Sequence, residues 1–131
     1  MPFVRIDIPT ATSNAHAEAL SQAVHAALAE TFDVPPDDRF QVVTRHGPGA
    51  IVCTPAYLGV RHTTHVALVQ ITCSPGRSRD QKRVLFARIA QQAEQHAGFA
   101  ASDVVIHLVE TLRENWSFGN GIAQYTLETD S

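Results

Sequence analysis

The strongest constraint on this chain is that it states nearly the same plan twice. Phe3 to Ile8 alternates Phe3, Arg5 and Asp7 against Val4, Ile6 and Ile8, the period-two pattern of a strand with one buried face. Pro9-Thr10 stops it, Thr12-Ser13-Asn14 offers N-cap side chains, and a helix runs from there to about Phe32. Its apolar residues Leu20, Val24, Ala27, Leu28 and Phe32 share one face. Pro35-Pro36 closes the helical region, and Arg39 to Thr44 reads as a second strand. The second half repeats this. His65 to Cys73 is a Val-, Leu- and Ile-rich strand, expected to be buried on both faces or nearly so. Ser74-Pro75-Gly76 is a turn, and Ser78-Arg79-Asp80-Gln81 is a capping box opening a helix to about His96. That helix buries Leu85, Ile89 and Ala93, Gly98 stands where a C-cap glycine belongs, and Asp103 to Glu110 is the fourth strand.

Two β-α-β units joined in one sheet make an α/β sandwich: four strands, with both helices on one face. The other face stays uncovered unless something else packs on it. The strands are too apolar to leave that face wet, so a homo-oligomer is expected. Between the halves, Arg45 to Thr64 holds Pro48, Gly49, Pro55 and Gly59 around a short apolar stretch, Ala50 to Cys53, and reads as a loop or an edge hairpin. After the fourth strand comes a turn-rich aromatic segment, Glu114 to Gly121, and then a short strand, Ile122 to Thr126.

Size and charge narrow the function classes. At 131 residues the chain is one domain, 1–131. A net charge of −3 gives no electrostatic case for nucleic acid or an anionic membrane, and no apolar run approaches a membrane span of ~18 residues. Met1 leads straight into a strand pattern, so no secretory leader is expected. Cys53 and Cys73 are too few and too far apart for a disulfide framework; both read as buried thiols in a reducing cytoplasm. Among the seven histidines, the closest pair, His62 and His65, lacks a cysteine or carboxylate at ligand spacing, so no metal is expected. There is no phosphate-loop or dinucleotide glycine fingerprint, and no cofactor is expected.

Four features carry chemistry. Pro2 is small enough to permit removal of Met1, which converts it from an imide into a free secondary amine on a rigid ring. An amine held in an apolar pocket has a lowered pKa and can serve as an acid or base; a frayed terminus is the plain alternative. Gly76-Arg77-Ser78 joins a core strand to a helix N-terminus, where free N–H groups, the helix dipole and the planar guanidinium of Arg77 suit a carboxylate. A capped helix with a solvated arginine fits the same residues. Asp38, at the start of the second strand, can orient water or a substrate oxygen, or cap a turn. Trp116 and Phe118 can wall a small pocket or fill core.

Together these features resemble the tautomerase superfamily, over nearly the whole chain. The matching motifs are Met1-Pro2 into a strand; Phe32 to Val43 with its Pro35-Pro36-Asp37-Asp38-Arg39; Gly76-Arg77-Ser78 with Gln81-Lys82; and Asn115-Trp116-Ser117-Phe118-Gly119-Asn120-Gly121 with Ala123-Gln124. They look most like the malonate semialdehyde decarboxylase branch. The resemblance implies Pro2 as catalytic amine, Asp38 as catalytic aspartate, Arg77 as a substrate-binding arginine, and Trp116 and Phe118 as an aromatic wall. The branch has an earlier arginine in the Arg77 turn; here that place holds Pro75, and Arg79 is the nearest substitute. The implied function is a cytoplasmic homotrimeric enzyme acting on a small oxo acid, by decarboxylation or by keto–enol tautomerisation. Hydration or dehalogenation of an unsaturated acid, with Asp38 or Glu114 activating water, is an alternative. So is a non-catalytic oligomeric binding protein on the same scaffold.

Overall fold

The computed structural model describes residues 1–127. The strands of the first unit are β1 (Phe3–Pro9) and β2 (Phe40–His46), with α1 (Asn14–Phe32) between them. A connection then carries the short strands β3 (Ala56–Tyr57) and β4 (Val60–Arg61), and the second unit follows as β5 (Ala67–Cys73), α2 (Arg79–His96) and β6 (Val104–Glu110). The main sheet has the order β2-β1-β5-β6. Within each unit the strands are parallel, as a helical crossover requires. The two units meet through β1 and β5, which are antiparallel.

The core lies between the helices and one face of the sheet. Val4, Ile6 and Ile8 of β1 and Ala67, Val69, Ile71 and Cys73 of β5 are buried there against Leu20, Val24 and Leu28 of α1 and Leu85, Ile89 and Ala93 of α2. The alternate residues of β5 are half-buried, so this strand is sealed on one face only and not on both, because among the described residues no helix packs on the opposite face of the sheet. That open face carries exposed Phe40 and Val42 on one flank and Val105 and Val109 on the other, with Arg5, Asp7 and Gln70 between them.

Local chemistry sets the helix ends. The Ser13 side chain accepts from the His16 amide, and α1 stops at Asp33, which adopts a left-handed conformation with φ 57°. Both halves of the Ser78–Gln81 capping box are formed at the start of α2. Three expectations differ from the fold. Residues 122–126 do not form a strand: Gln124–Thr126 is a 3-10 turn, and the Gln124 side chain bonds back to Phe118 and Gly119. The connection does form a hairpin, yet β3 and β4 pair with each other and not with the main sheet. It is pinned at its far end by Asp103, a buried carboxylate that accepts from the Thr63 amide and hydroxyl, each at 2.7 Å. Cys73 is buried as expected, but Cys53, on that connection, is only half-buried.

Candidate active site

Sheet topology decides which chain segments meet the amino terminus. Phe3 lies beside Phe40 in the parallel β1–β2 ladder and beside Thr72 in the antiparallel β1–β5 ladder. The start of β1 is therefore flanked by the start of β2, preceded by Asp38, and by the end of β5, followed by the Arg77 turn. Cys73 lies beside Glu110 in the parallel β5–β6 ladder, so the segment after β6 emerges at the same end. Four stretches distant in sequence converge there. Pro2 is buried and Met1 half-buried, so this terminus is packed and not frayed.

Arg77 is held in place by its own backbone surroundings. It donates to the Ser74 carbonyl at 3.2 Å and to the Phe32 carbonyl at 3.1 Å, and its guanidinium lies 4.9 Å from the Phe32 ring centroid. Phe32 ends α1, where carbonyls lack intrahelical partners and a cation is favoured. Gln81 donates to the neighbouring Thr31 carbonyl at 3.4 Å. An arginine has five N–H donors; two are bound here, and three are left for a ligand. Asp38 follows a turn in which its amide donates to the Pro35 carbonyl at 2.9 Å. Its Oδ1 is buried and has no hydrogen-bond partner.

The aromatic segment is folded by one side chain. Gln124 accepts from the Phe118 amide at 2.9 Å and donates to the Gly119 carbonyl at 3.0 Å, closing a loop in which Asn120 and Gly121 have φ of 60° and 68°. Trp116 stacks on Phe118 with centroids 5.4 Å apart and planes 10° apart. Phe118 also touches Phe40, at 5.6 Å, and meets Tyr125 edge-on at 5.2 Å. The Trp116 Nε1 is a second buried polar atom without a partner. Leaving such an atom unpaired costs about 1–3 kcal/mol, and such atoms call for an explanation. Among the described residues there are three, and two of them, on Asp38 and Trp116, belong to segments that converge here.

The electrostatics agree with the geometry. Burial lowers the pKa of the terminal amine, carried here by Met1; Asp38 opposes this, Arg77 reinforces it, and Arg113 adds in the same direction. Burial raises Asp38, against the pull of the amine. Burial also raises Tyr125, with Asp38 adding to it and Arg113 and Arg77 opposing. These groups feel one another. A cavity of about 400 Å3 opens at the same end of the sheet, lined by Ser74, Pro75, Leu112, Arg113, Glu114 and Thr126; of the groups just named, Arg113 is the one that lines it. A larger one, about 510 Å3, lies at the opposite end of the sheet against Pro9, His46 and His65; no lysine, arginine, aspartate or glutamate lines it. Its size is outweighed by the chemistry at the amino-terminal end. Among the described residues no group of three His, Cys, Asp or Glu side chains is arranged to hold a metal ion.

Of the residues singled out in sequence, Pro2, Asp38 and Arg77 come together, with Trp116 and Phe118 stacked on the neighbouring segment. Arg79 stands exposed on the first turn of α2 and makes no hydrogen bond or ion pair with a described residue. Two residues that sequence reasoning passed over belong to the cluster. Arg113 lies three residues before Trp116, and Tyr125 was hidden inside the expected strand at Ile122 to Thr126. The available signal was a cation directly ahead of an aromatic run; nothing in the sequence said it turned back toward the amino terminus.

Comparisons with known proteins agree. One family model described as "Tautomerase enzyme" matches residues 38–119, and a second of the same description matches residues 2–61. "Probable tautomerase YusQ" of Bacillus subtilis is 35% identical over 124 residues, 95% of this chain and 98% of the relative. Among solved structures, FG41 malonate semialdehyde decarboxylase inhibited by 3-bromopropiolate superposes with a TM-score of 0.88 at 36% identity, covering 94% of this chain and 93% of that one. A malonate semialdehyde decarboxylase solved in wild-type, mutant and inactivated forms, with decarboxylase and hydratase activities, gives a TM-score of 0.86 at 32% identity, covering 94% and 95%.

Proposed function

The chain belongs to the tautomerase family, and from that premise we propose that it is a cofactor-independent enzyme using the Pro2 amine, freed of Met1, as acid and base on a small oxo acid. The observation that carries the reading is convergence: the amino terminus, the unpartnered carboxylate of Asp38 and the anchored guanidinium of Arg77 lie at one end of the sheet, beside an aromatic wall. Likeness to two malonate semialdehyde decarboxylases above 30% identity supports a 3-oxo acid as substrate.

In this reading Arg77 holds the carboxylate, turned so that the breaking C–C bond lines up with the carbonyl π system. The protonated Pro2 amine donates a hydrogen bond to the carbonyl oxygen. The electron pair of the breaking bond flows toward that oxygen, carbon dioxide leaves, and the enolate formed takes a proton from the amine. Asp38, whose charge raises the pKa of the terminal amine on Met1, favours the protonated form of the Pro2 amine in the same way. With Pro2 neutral, the same groups remove a proton beside a carbonyl and return it elsewhere, which is keto–enol tautomerisation. A second reading, hydration of an unsaturated acid, is favoured by the free Oδ1 of Asp38, which can accept a proton from an attacking water. The enzyme is proposed to act as a homotrimer in the cytoplasm.

Intact-mass spectrometry of native protein is the first test, because retained Met1 leaves Pro2 acylated and favours a non-catalytic binding protein. Turnover of malonate semialdehyde and of phenylpyruvate enol comes next. Pro2→Ala should lower kcat by at least about 100-fold, the low end of the range for a general acid–base; wild-type turnover in that variant would remove the proposed role.

A further inference from the structure

Arg113 has no part in the reading above, yet it is the second guanidinium of the cluster. Three observations single it out. It lines the 400 Å3 cavity together with Ser74 and Pro75, the residues that lead into Arg77. Its guanidinium carbon lies 4.5 Å from the centroid of the Tyr125 ring, and Tyr125 in turn packs edge-on against Phe118 of the aromatic wall. And its side chain makes no hydrogen bond or ion pair with any described residue, whereas Arg77 spends two donors on backbone carbonyls. An aromatic face fixes a guanidinium by its charge and leaves the N–H donors free. Those donors form a fork matched to a carboxylate.

We propose that Arg113 is a substrate-binding residue, completing with Arg77 a two-arginine receptor for the carboxylate of the substrate, and that Tyr125 is the platform that aims it. The proposal deepens the function above and rests on its reading of the substrate as a small oxo acid. It also answers how the site obtains a second cation with Pro75 in the turn and Arg79 on the exposed side of α2. The second cation comes from the segment after β6, which sheet topology brings to the same end. Two guanidinium groups at this end of the sheet, Arg113 in the cavity and Arg77 beyond Ser74 and Pro75, favour a carboxylate over an uncharged isostere.

Trp116 is the chain's only tryptophan, so its fluorescence reports binding without turnover. The probes are malonate and its neutral counterpart malonamide, titrated against the mature wild-type protein and its variants. Arg113→Gln should weaken malonate at least about tenfold, leave malonamide within about twofold, and raise KM for malonate semialdehyde far more than it lowers kcat. Arg113→Lys, which keeps the charge and loses the fork, should recover part of the affinity. Tyr125→Phe keeps the ring and should bind malonate as wild type; Tyr125→Leu should behave like Arg113→Gln. The proposal falls if malonate fails to bind the wild-type protein, if Arg113→Gln binds it normally, if both probes weaken equally, or if Arg79→Gln gives the loss instead. Its failure is separable from that of the proposed reaction. Pro2→Ala decides the acid–base role by turnover, and malonate binding decides Arg113 whether or not Pro2 is catalytic.

Discussion

Asp38 holds a charge where the fold does not favour one. Burial raises its pKa above the ordinary 3.8; the nearby amine opposes this, Asp37 adds to it, and His25 opposes. A folded value above the unfolded one means that the folded state binds more protons between the two. Stability therefore falls as pH rises through that window, and the loss persists at neutral pH. Asp38→Asn removes the charge at constant shape, so it should raise Tm at pH 7, with the gain fading as pH falls through that window toward 3.8 and gone below it. An unchanged or lower Tm at pH 7 would count against this account. The same substitution removes a charge that raises the amine pKa, so the limb of the kcat/KM profile titrating Pro2 should move to lower pH. Arg77→Ala should move it the other way, because a nearby cation disfavours a protonated amine, as Arg77 does for the Met1 amine; residual turnover measured from pH 5 to 10 would reveal both. At this scale the sequence named Asp38, Arg77, Trp116 and Phe118 by residue type and neighbours. It did not name Arg113 and Tyr125, whose meaning lies in the 4.5 Å between them and not in their spacing along the chain.

The elements were legible wherever a local rule governed them. Ser13 and Ser78 are N-caps because a short oxygen-bearing side chain can meet the free amides of a first helical turn. Ser78→Ala should cost about 1 kcal/mol, a Tm loss of about 3–5 °C for a chain of this size. Thermal unfolding checks it, and an unchanged Tm would mean that the capping box contributes nothing. Because Arg77 is tied separately to the Ser74 and Phe32 carbonyls, malonate affinity in Ser78→Ala should stay near wild type. Elements were misread where the deciding contact was remote. Ile122 to Thr126 has the composition of a strand, yet a strand needs a partner, and here the Gln124 side chain bonds back to Phe118 and Gly119. The connection, read as a loop or an edge hairpin, does hold a hairpin, and what the sequence did not show is that Asp103 pins its stem at Thr63.

At the scale of the molecule, the uncovered face of the sheet is the remaining question. Phe40 and Val42 on one flank, Val105 and Val109 on the other, are 36–42% exposed in the single chain, and self-association is the means by which a chain covers such flanks. Light scattering on the native protein should give a three-chain mass. Val42→Glu together with Val109→Lys should lower it, since charges introduced at a buried apolar contact are costly. A monomer in the wild type would refute the trimer. The sequence by itself determined the two β-α-β units, the helix that follows each first strand, and the residue types able to bind a carboxylate or hold an amine. It could do so because hydrophobic period, capping and turn chemistry act over a few residues. Only the tertiary structure decided that β1 and β5 run antiparallel at the centre of the sheet. That arrangement sets the first residue of the chain beside Asp38, Arg77 and Arg113. Strand order depends on which faces and edges bury best together, a sum over contacts far apart in sequence, and no local pattern records it.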